Sequence, residues 1–309
     1  MIMNIQSKLR LLTICLSISP ILLHAQTKKI LALGNTANPA RLSAGDVSLY
    51  ENAALAGIRR TNLCQVMERK EWENILKERG IQKTEEFMNG QIVPQSQSLG
   101  AEYLLIITLQ SWAVKDDKSK SSGDWYRDVE TIVILDAKIV SVETGEAVYN
   151  KAITVKESES YSKDDASYRS SKDEIINTFK SSLANQCDFQ FSLFMYEVFP
   201  PEIEIIKVEE TKKQKAKTVL CKTSAILPVG AKLEVYSEEN FDTGSGEILK
   251  RKKDIGKLKI EKIEGEKLIL CDVLDGGEDI LKNVQTKTKM KCKPNFERGF
   301  FDLSKKPKF

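Results

Sequence analysis

The chain has 309 residues, with 47 Lys+Arg against 44 Asp+Glu, one histidine and a net charge of +3. That near balance supplies no overall electrostatic drive toward nucleic acid, and a single imidazole leaves little scope for histidine catalysis or His-containing zinc sites. The length accommodates one large domain or two ordinary ones.

Residues 1–25 read as an export leader, in which Lys8 and Arg10 precede the apolar run 11–23 and Leu23-His24-Ala25 offers a cleavage point. The run is too short to span a bilayer stably. Cleavage between Ala25 and Gln26 removes Lys8, Arg10 and His24, so the charge falls from +3 to +1 and no imidazole remains. Ser-His-Asp and Cys-His nucleophile pairs are then excluded. A lipid anchor needs a cysteine just after the cleaved bond; Gln26 stands there, and Cys15 lies within the apolar run behind Ile14. The expected location is the periplasm or another exported site, with membrane association at most peripheral or through partners.

Past the leader, Cys64, Cys187, Cys221, Cys271 and Cys292 form no C-x-x-C pair. An odd set leaves at least one thiol unbridged within the chain. Apolar neighbours favour small buried thiols, and a bridge among Cys221, Cys271 and Cys292 is the alternative. Tetrathiolate zinc lacks the paired spacing it requires. No metal or other cofactor is expected.

Residues 29–33 form a short apolar strand. After a loop, Val47, Tyr50, Ala54 and Ile58 recur at three- and four-residue steps as a helical stripe, with Ala53 and Gly57 beside it for close approach. A strand at 63–67 leads to a helix in which Trp72, Ile75, Leu76 and Arg79 share a face and which Gly80 ends. Residues 103–109, YLLIITL, suit a buried strand. Strands at 130–142 and 147–155, joined by Glu143-Thr144-Gly145-Glu146, complete an antiparallel meander. Ser171 and Glu174 frame a capping box before a long helix carrying Ile176, Phe179, Leu183 and Cys187.

Glu68-Arg69 closing the second strand, Ile75-Leu76 in the helix, Leu99-Gly100-Ala101 with Tyr103 opening the next strand, and Thr144-Gly145-Glu146 at the turn recur together over residues 28–195. In their order and spacing they resemble the curli production assembly/transport (CsgG-like) family. The resemblance implies an envelope protein built on an α+β domain like that of the N-terminal domain of the Tol-Pal translocation protein. Where the curli secretion channel extends membrane hairpins, residues 115–128 and 156–172 read as loops charged on both phases, unlike bilayer-crossing strands. Within the first, Trp125 and Tyr126 are candidate partner contacts, the alternative being packing onto the sheet edge. Trp112, at a strand end, is expected to pack.

Pro200-Pro201 marks a boundary. Beyond it, strands are expected at 202–208 and 218–222 around EETKKQKAK, at 227–236, 255–263 and 266–273, and near 284–288, making a small SH3-like barrel. LPVGAKLEVY, IGKLKIEKIEGEKLILCDV and Gly276-Gly277 are similar to the C-terminal domain of flagellar assembly protein T, which joins a comparable α+β domain in an envelope ring. Gly244-Ser245-Gly246 lacks the strand-to-helix setting of a phosphate loop, and residues 272–279 read as a hairpin turn rather than a calcium loop.

The expected fold is therefore α+β: an antiparallel sheet with packed helices over 26–200, a small all-β barrel over 201–292 and a flexible basic, aromatic tail over 293–309. The expected function is a non-enzymatic envelope scaffold that contacts an envelope protein or itself, with no nucleic-acid partner. An oligomeric secretion channel is the alternative, and a carboxylate-dependent hydrolase finds no paired motif.

Overall fold

A computed structural model describes residues 28–68, 70–71, 73–74, 101–242 and 248–295. Outside the described residues lie the leader with its Ala25–Gln26 cleavage point, most of the helix expected over 72–80, Leu99-Gly100, Gly244-Ser245-Gly246 and the tail from 296.

The N-terminal half is a five-stranded sheet in the order β2-β1-β3-β4-β5. Its strands are β1 (Lys29–Leu33), β2 (Cys64–Met67), β3 (Tyr103–Ser121), β4 (Asp124–Ser141) and β5 (Ala147–Ser162). β3 to β5 run antiparallel as expected, but β1 pairs in parallel with both β2 and β3, so the sheet is mixed. A helix between β1 and β2 makes that parallel pairing accessible, since a parallel return needs a crossover.

Helix α1 (Ala44–Thr61) starts at Ser43, whose hydroxyl accepts the Asp46 amide, and stops at Asn62 in the left-handed region. The stripe read from sequence is the buried one: Tyr50, Ala54 and Ile58 are wholly enclosed. α2 (Lys172–Val198) begins with the Ser171/Glu174 capping box and buries Phe179, Leu183, Cys187, Phe191 and Phe194 on the sheet. The two helices cross closely at Gly57, where a β-carbon would stand 2.0 Å from the Asp188 carbonyl oxygen. Ser192 completes the crossing by donating to the Gly57 carbonyl at 2.9 Å.

The stretch expected as a loop at 115–128 is instead mostly strand, and so is 156–162, whereas 163–171 is a turn and 3₁₀ connection, in keeping with the loop expected there. β3 and β4 stay in register to the Ser121–Asp124 pair, and β5 follows β4 as far as Tyr126 opposite Ser162. A turn at 163–165 and a 3₁₀ turn (Ala166–Arg169) lead from β5 to α2. Apolar–polar alternation disappears there because cross-strand charges hold the surface: Glu130 takes Lys115 at 3.2 Å and also pairs with Lys156. The open sheet edge is partly closed by Gln186, whose amide donates to the Lys156 carbonyl at 2.8 Å and accepts from its amide at 3.2 Å.

The C-terminal half is a closed six-stranded barrel in the order β10-β7-β6-β11-β8-β9. It comprises β6 (Ile203–Lys212), β7 (Lys215–Thr223), β8 (Lys232–Asp242), β9 (Ile248–Ile263), β10 (Leu268–Asp275) and β11 (Met290–Pro294). Several expectations are corrected here. EETKKQKAK is mostly strand, tightened by Lys213 and Gln214, both at positive φ. Residues 227–231 form the turn before β8, not its start. Residues 272–279 are no hairpin turn, because Gly276 at φ 74° ends β10 and starts α3 (Gly277–Gln285), whose Ile280 is wholly buried against the barrel. The strand expected near 284–288 is the end of that helix, and β11 follows it, drawing Lys293 and Pro294 out of the expected tail. The barrel is thus not all-β.

Cys221, Cys271 and Cys292 share the barrel core as free, buried thiols, and Cys64 and Cys187 are also free and buried. The two halves share α2. Met195 belongs to the sheet core, whereas the next residue, Tyr196, enters the barrel core and donates its hydroxyl to the Ile226 carbonyl. The Ile226 amide in turn donates to the Thr61 carbonyl at the end of α1, 3.0 Å away.

Candidate functional site

The two aromatic residues singled out in sequence stand at the tip of the β3–β4 hairpin. Ser122 at φ 53° and Gly123 at φ 96° form a two-residue turn with both centres left-handed, the geometry that matches strand twist. Trp125, opposite Lys120, is 44% exposed, whereas Tyr126, opposite both Ser119 and Ser162, is half-buried. The Trp125 carbonyl accepts the Lys163 amide at 3.0 Å.

What fixes this tip is Arg127, a residue that stands out in no sequence pattern. Its guanidinium forms a two-pronged pair with Asp116, Nε to Oδ1 at 2.8 Å and Nη2 to Oδ2 at 2.7 Å. Nη1 then donates to the carbonyls of Tyr168 at 3.2 Å and Ser170 at 2.6 Å. One buried cation so ties β3, β4, the 3₁₀ turn and the entry to α2 together. A planar five-donor fork can do this; a lysine ammonium cannot. The Arg127 hydrogen bonds hold the Asp116 carboxyl below its ordinary pKa. Lys118 lies 5.2 Å over the Tyr168 ring, and Ser162 donates its amide to Asp165 at 2.7 Å. Asp116 and Arg127 are legible as a pair only once the SSG turn is read as a hairpin, which sets them diagonally across two strands.

Trp112 packs edge-on against Tyr50, with ring centroids 6.2 Å apart; the packing is as expected, but the residue lies mid-strand in β3, opposite Val133, and not at a strand end. The strongly perturbed groups elsewhere are packing groups. Burial pushes the Tyr50, Cys187 and Tyr196 protons on more firmly, and the Cys64 thiol up to about 12. A thiol raised in this way is a poor nucleophile. Asp188 is also raised, because burial outweighs the adjacent Arg60, and its Oδ1 is enclosed without a hydrogen-bond partner. Among the described residues, no group of His, Cys, Asp and Glu is arranged to hold a metal ion. No helix among them is long and apolar enough to cross a membrane.

No protein-family model matches the chain, and no curated protein does. Among solved structures, lipoprotein GNA1162 from Neisseria meningitidis is 16% identical, covering 51% of this chain and 96% of its own, at a TM-score of 0.28. The PelC dodecamer from Paraburkholderia phytofirmans is 12% identical over 57% of this chain and 89% of its own, at 0.30. The LpoB C-terminal domain from Salmonella enterica is 14% identical over 42% and 83%, at 0.25. At such scores these likenesses carry no argument, and the curli-type resemblance rests on the residues quoted above.

Proposed function

We propose that this protein is an exported, non-enzymatic scaffold or adaptor of the cell envelope, which holds a protein partner or a second copy at the β3–β4 tip. The observation that carries the reading is Trp125: a large aromatic left exposed on a hairpin end that a buried, four-bonded arginine holds rigid. Rigid aromatic anchors give contact area at little cost in conformational entropy, which is why such residues dominate binding hot spots. The leader supports export, and the CsgG-like and flagellar-type patterns support an envelope setting. Crosslinking in intact cells tests the proposal. A discrete complex should form and be lost on combined Trp125→Ala and Tyr126→Ala substitution, with folding unchanged. Turnover of an envelope substrate, abolished by one carboxylate substitution, would overturn it.

The second reading is a secretion channel of the curli type. It gains from the strand lengths, because β3 has 19 residues and β4 has 18, whereas about 9 to 11 cross a bilayer. Against it, KDDKSKS in β3 and KESESYS in β5 place polar side chains on both phases, leaving no outward apolar band. Conducting, detergent-dependent rings would favour this reading; a water-soluble particle without conductance would count against it.

A further inference from the structure

The two faces of the outer β3–β4 hairpin carry opposite charge. Lys118 lies opposite Arg127 and Lys120 opposite Trp125. Strand alternation puts all four on the side of the 3₁₀ turn, where Arg127 meets the Tyr168 and Ser170 carbonyls. On the other side Asp117 lies opposite Asp128, Ser119 opposite Tyr126 and Ser121 opposite Asp124. From 117 to 128, therefore, every cation is on one face and every carboxylate on the other. β5 adds only serines to the acidic face, Ser160 beside Asp128 and Ser162 beside Tyr126.

Like charges set directly opposite each other destabilise a strand pair. Asp117 and Asp128 are such a pair, both exposed, and no ion pair joins either of them, or Asp124, among the described residues. One row inward the same face is balanced, because Glu130 takes Lys115 at 3.2 Å and also pairs with Lys156. On the opposite face Lys118 and Lys120 are exposed and likewise without an ion pair among the described residues, Lys118 resting over the Tyr168 ring. Glu159, on that side of β5, is occupied by the Tyr161 hydroxyl, and Asp165 by the Ser162 amide. A surface charged for solubility intersperses both signs; here they are sorted.

We propose that this hairpin packs on a second copy of the chain, the Lys118, Lys120 and Trp125 face of one copy lying on the Asp117, Asp124, Asp128 and Tyr126 face of the next. The inference rests on the reading of the tip as a contact surface and names what it contacts. Charge complementarity carries the choice of occupant: a foreign acidic or basic partner would match one face and leave the other unmatched, whereas the same chain supplies both signs. Each face also brings one aromatic residue to the contact, Trp125 from one copy and Tyr126 from the other, so the two side chains serve one interface from opposite sides of the strand. Because the two surfaces differ, the association is heterologous, and it either closes into a ring or extends.

The test is sedimentation velocity of the purified protein at about 50 mM and about 500 mM salt, the second of which screens exposed charges strongly. Species larger than the monomer are expected at low salt and should dissociate at high salt. One variant joins Asp117→Asn, Asp124→Asn and Asp128→Asn; another joins Lys118→Gln and Lys120→Gln. Each should weaken association about tenfold or more. Mixed in equal amounts, the two should form a one-to-one pair that grows no further, since each keeps one intact face. Because the substituted side chains are exposed, neither thermal transition should fall below the parent's, which separates lost association from lost fold. A parent that stays monomeric at low salt would overturn the proposal. So would association that both variants retain, or a mixture that does not pair. Capture of a different protein at position 125 by a monomeric parent would also overturn it, while leaving the scaffold reading in place.

Discussion

The β3–β4 and β8–β9 strand pairs are both long and polar and carry exposed large side chains toward their outer ends, Trp125 in one and Phe241 and Leu249 in the other, yet they are held in different ways. The first is backed by β5 nearly to its end and pinned from beneath by Arg127, so its tip belongs to the folded body. The second leaves the barrel where β10 and β11 stop and relies on its own ladder. A lone two-stranded ribbon is marginal in water. The comparison teaches that a hairpin becomes a rigid presenting surface through what lies under it, not through its length.

The largest test of that difference is Arg127→Ala, which leaves Asp116 without its partner and frees two carbonyls. A loss of about 3 kcal/mol is expected, read as a lower unfolding midpoint and rapid amide exchange from 116 to 128. Arg127→Lys should restore only part of it, because an ammonium lacks the second prong. Gly57→Ala comes next: forcing the α1–α2 crossing open should cost about 2 kcal/mol and spare local protection of the hairpin tip relative to the rest. Tyr196→Phe removes the α2–barrel hydrogen bond and should cost about 1 kcal/mol, read as earlier unfolding of the barrel.

A pH titration sharpens the same comparison. Folding lowers the Asp116 pKa, so its contribution is complete above the ordinary value of 3.8 and is lost as pH falls through the lower folded value. Tip protection measured by amide exchange should therefore fall on strong acidification, and Asp116→Asn should show the loss already at neutral pH. The smallest effects belong to the exposed residues. Trp125→Ala and Leu249→Ser should each leave global stability within about 0.5 kcal/mol, measured by thermal unfolding.

The sequence made the body of the protein readable where burial leaves a period. Tyr50, Ala54 and Ile58 on α1 and the Ser171/Glu174 box on α2 could be assigned from spacing alone, because each faces one core. The strands failed to show where neither face is buried. KDDKSKS and KRKK lack alternation because no apolar core lies under them: the one covered position in the first, Asp116, is filled by an ion pair with Arg127, and the second is exposed throughout. α3 was missed for another reason. Gly276-Gly277 read as a turn, although Ile280, Leu281 and Val284 already carried a helical stripe. Parallel pairing of β1 was hidden because it depends on contacts far apart in the chain. At the candidate site, Trp125 stood out as an aromatic in a polar run, while Arg127 and Asp116 were two charges among many until register joined them.

The most direct measurement places a photoreactive amino acid at position 125 and, as a control, at the equally exposed Val148 near the other end of the sheet, followed by crosslinking in intact cells. The scaffold account predicts a discrete protein adduct from position 125 and none from position 148. No adduct at 125, or the same products from both positions, would contradict it.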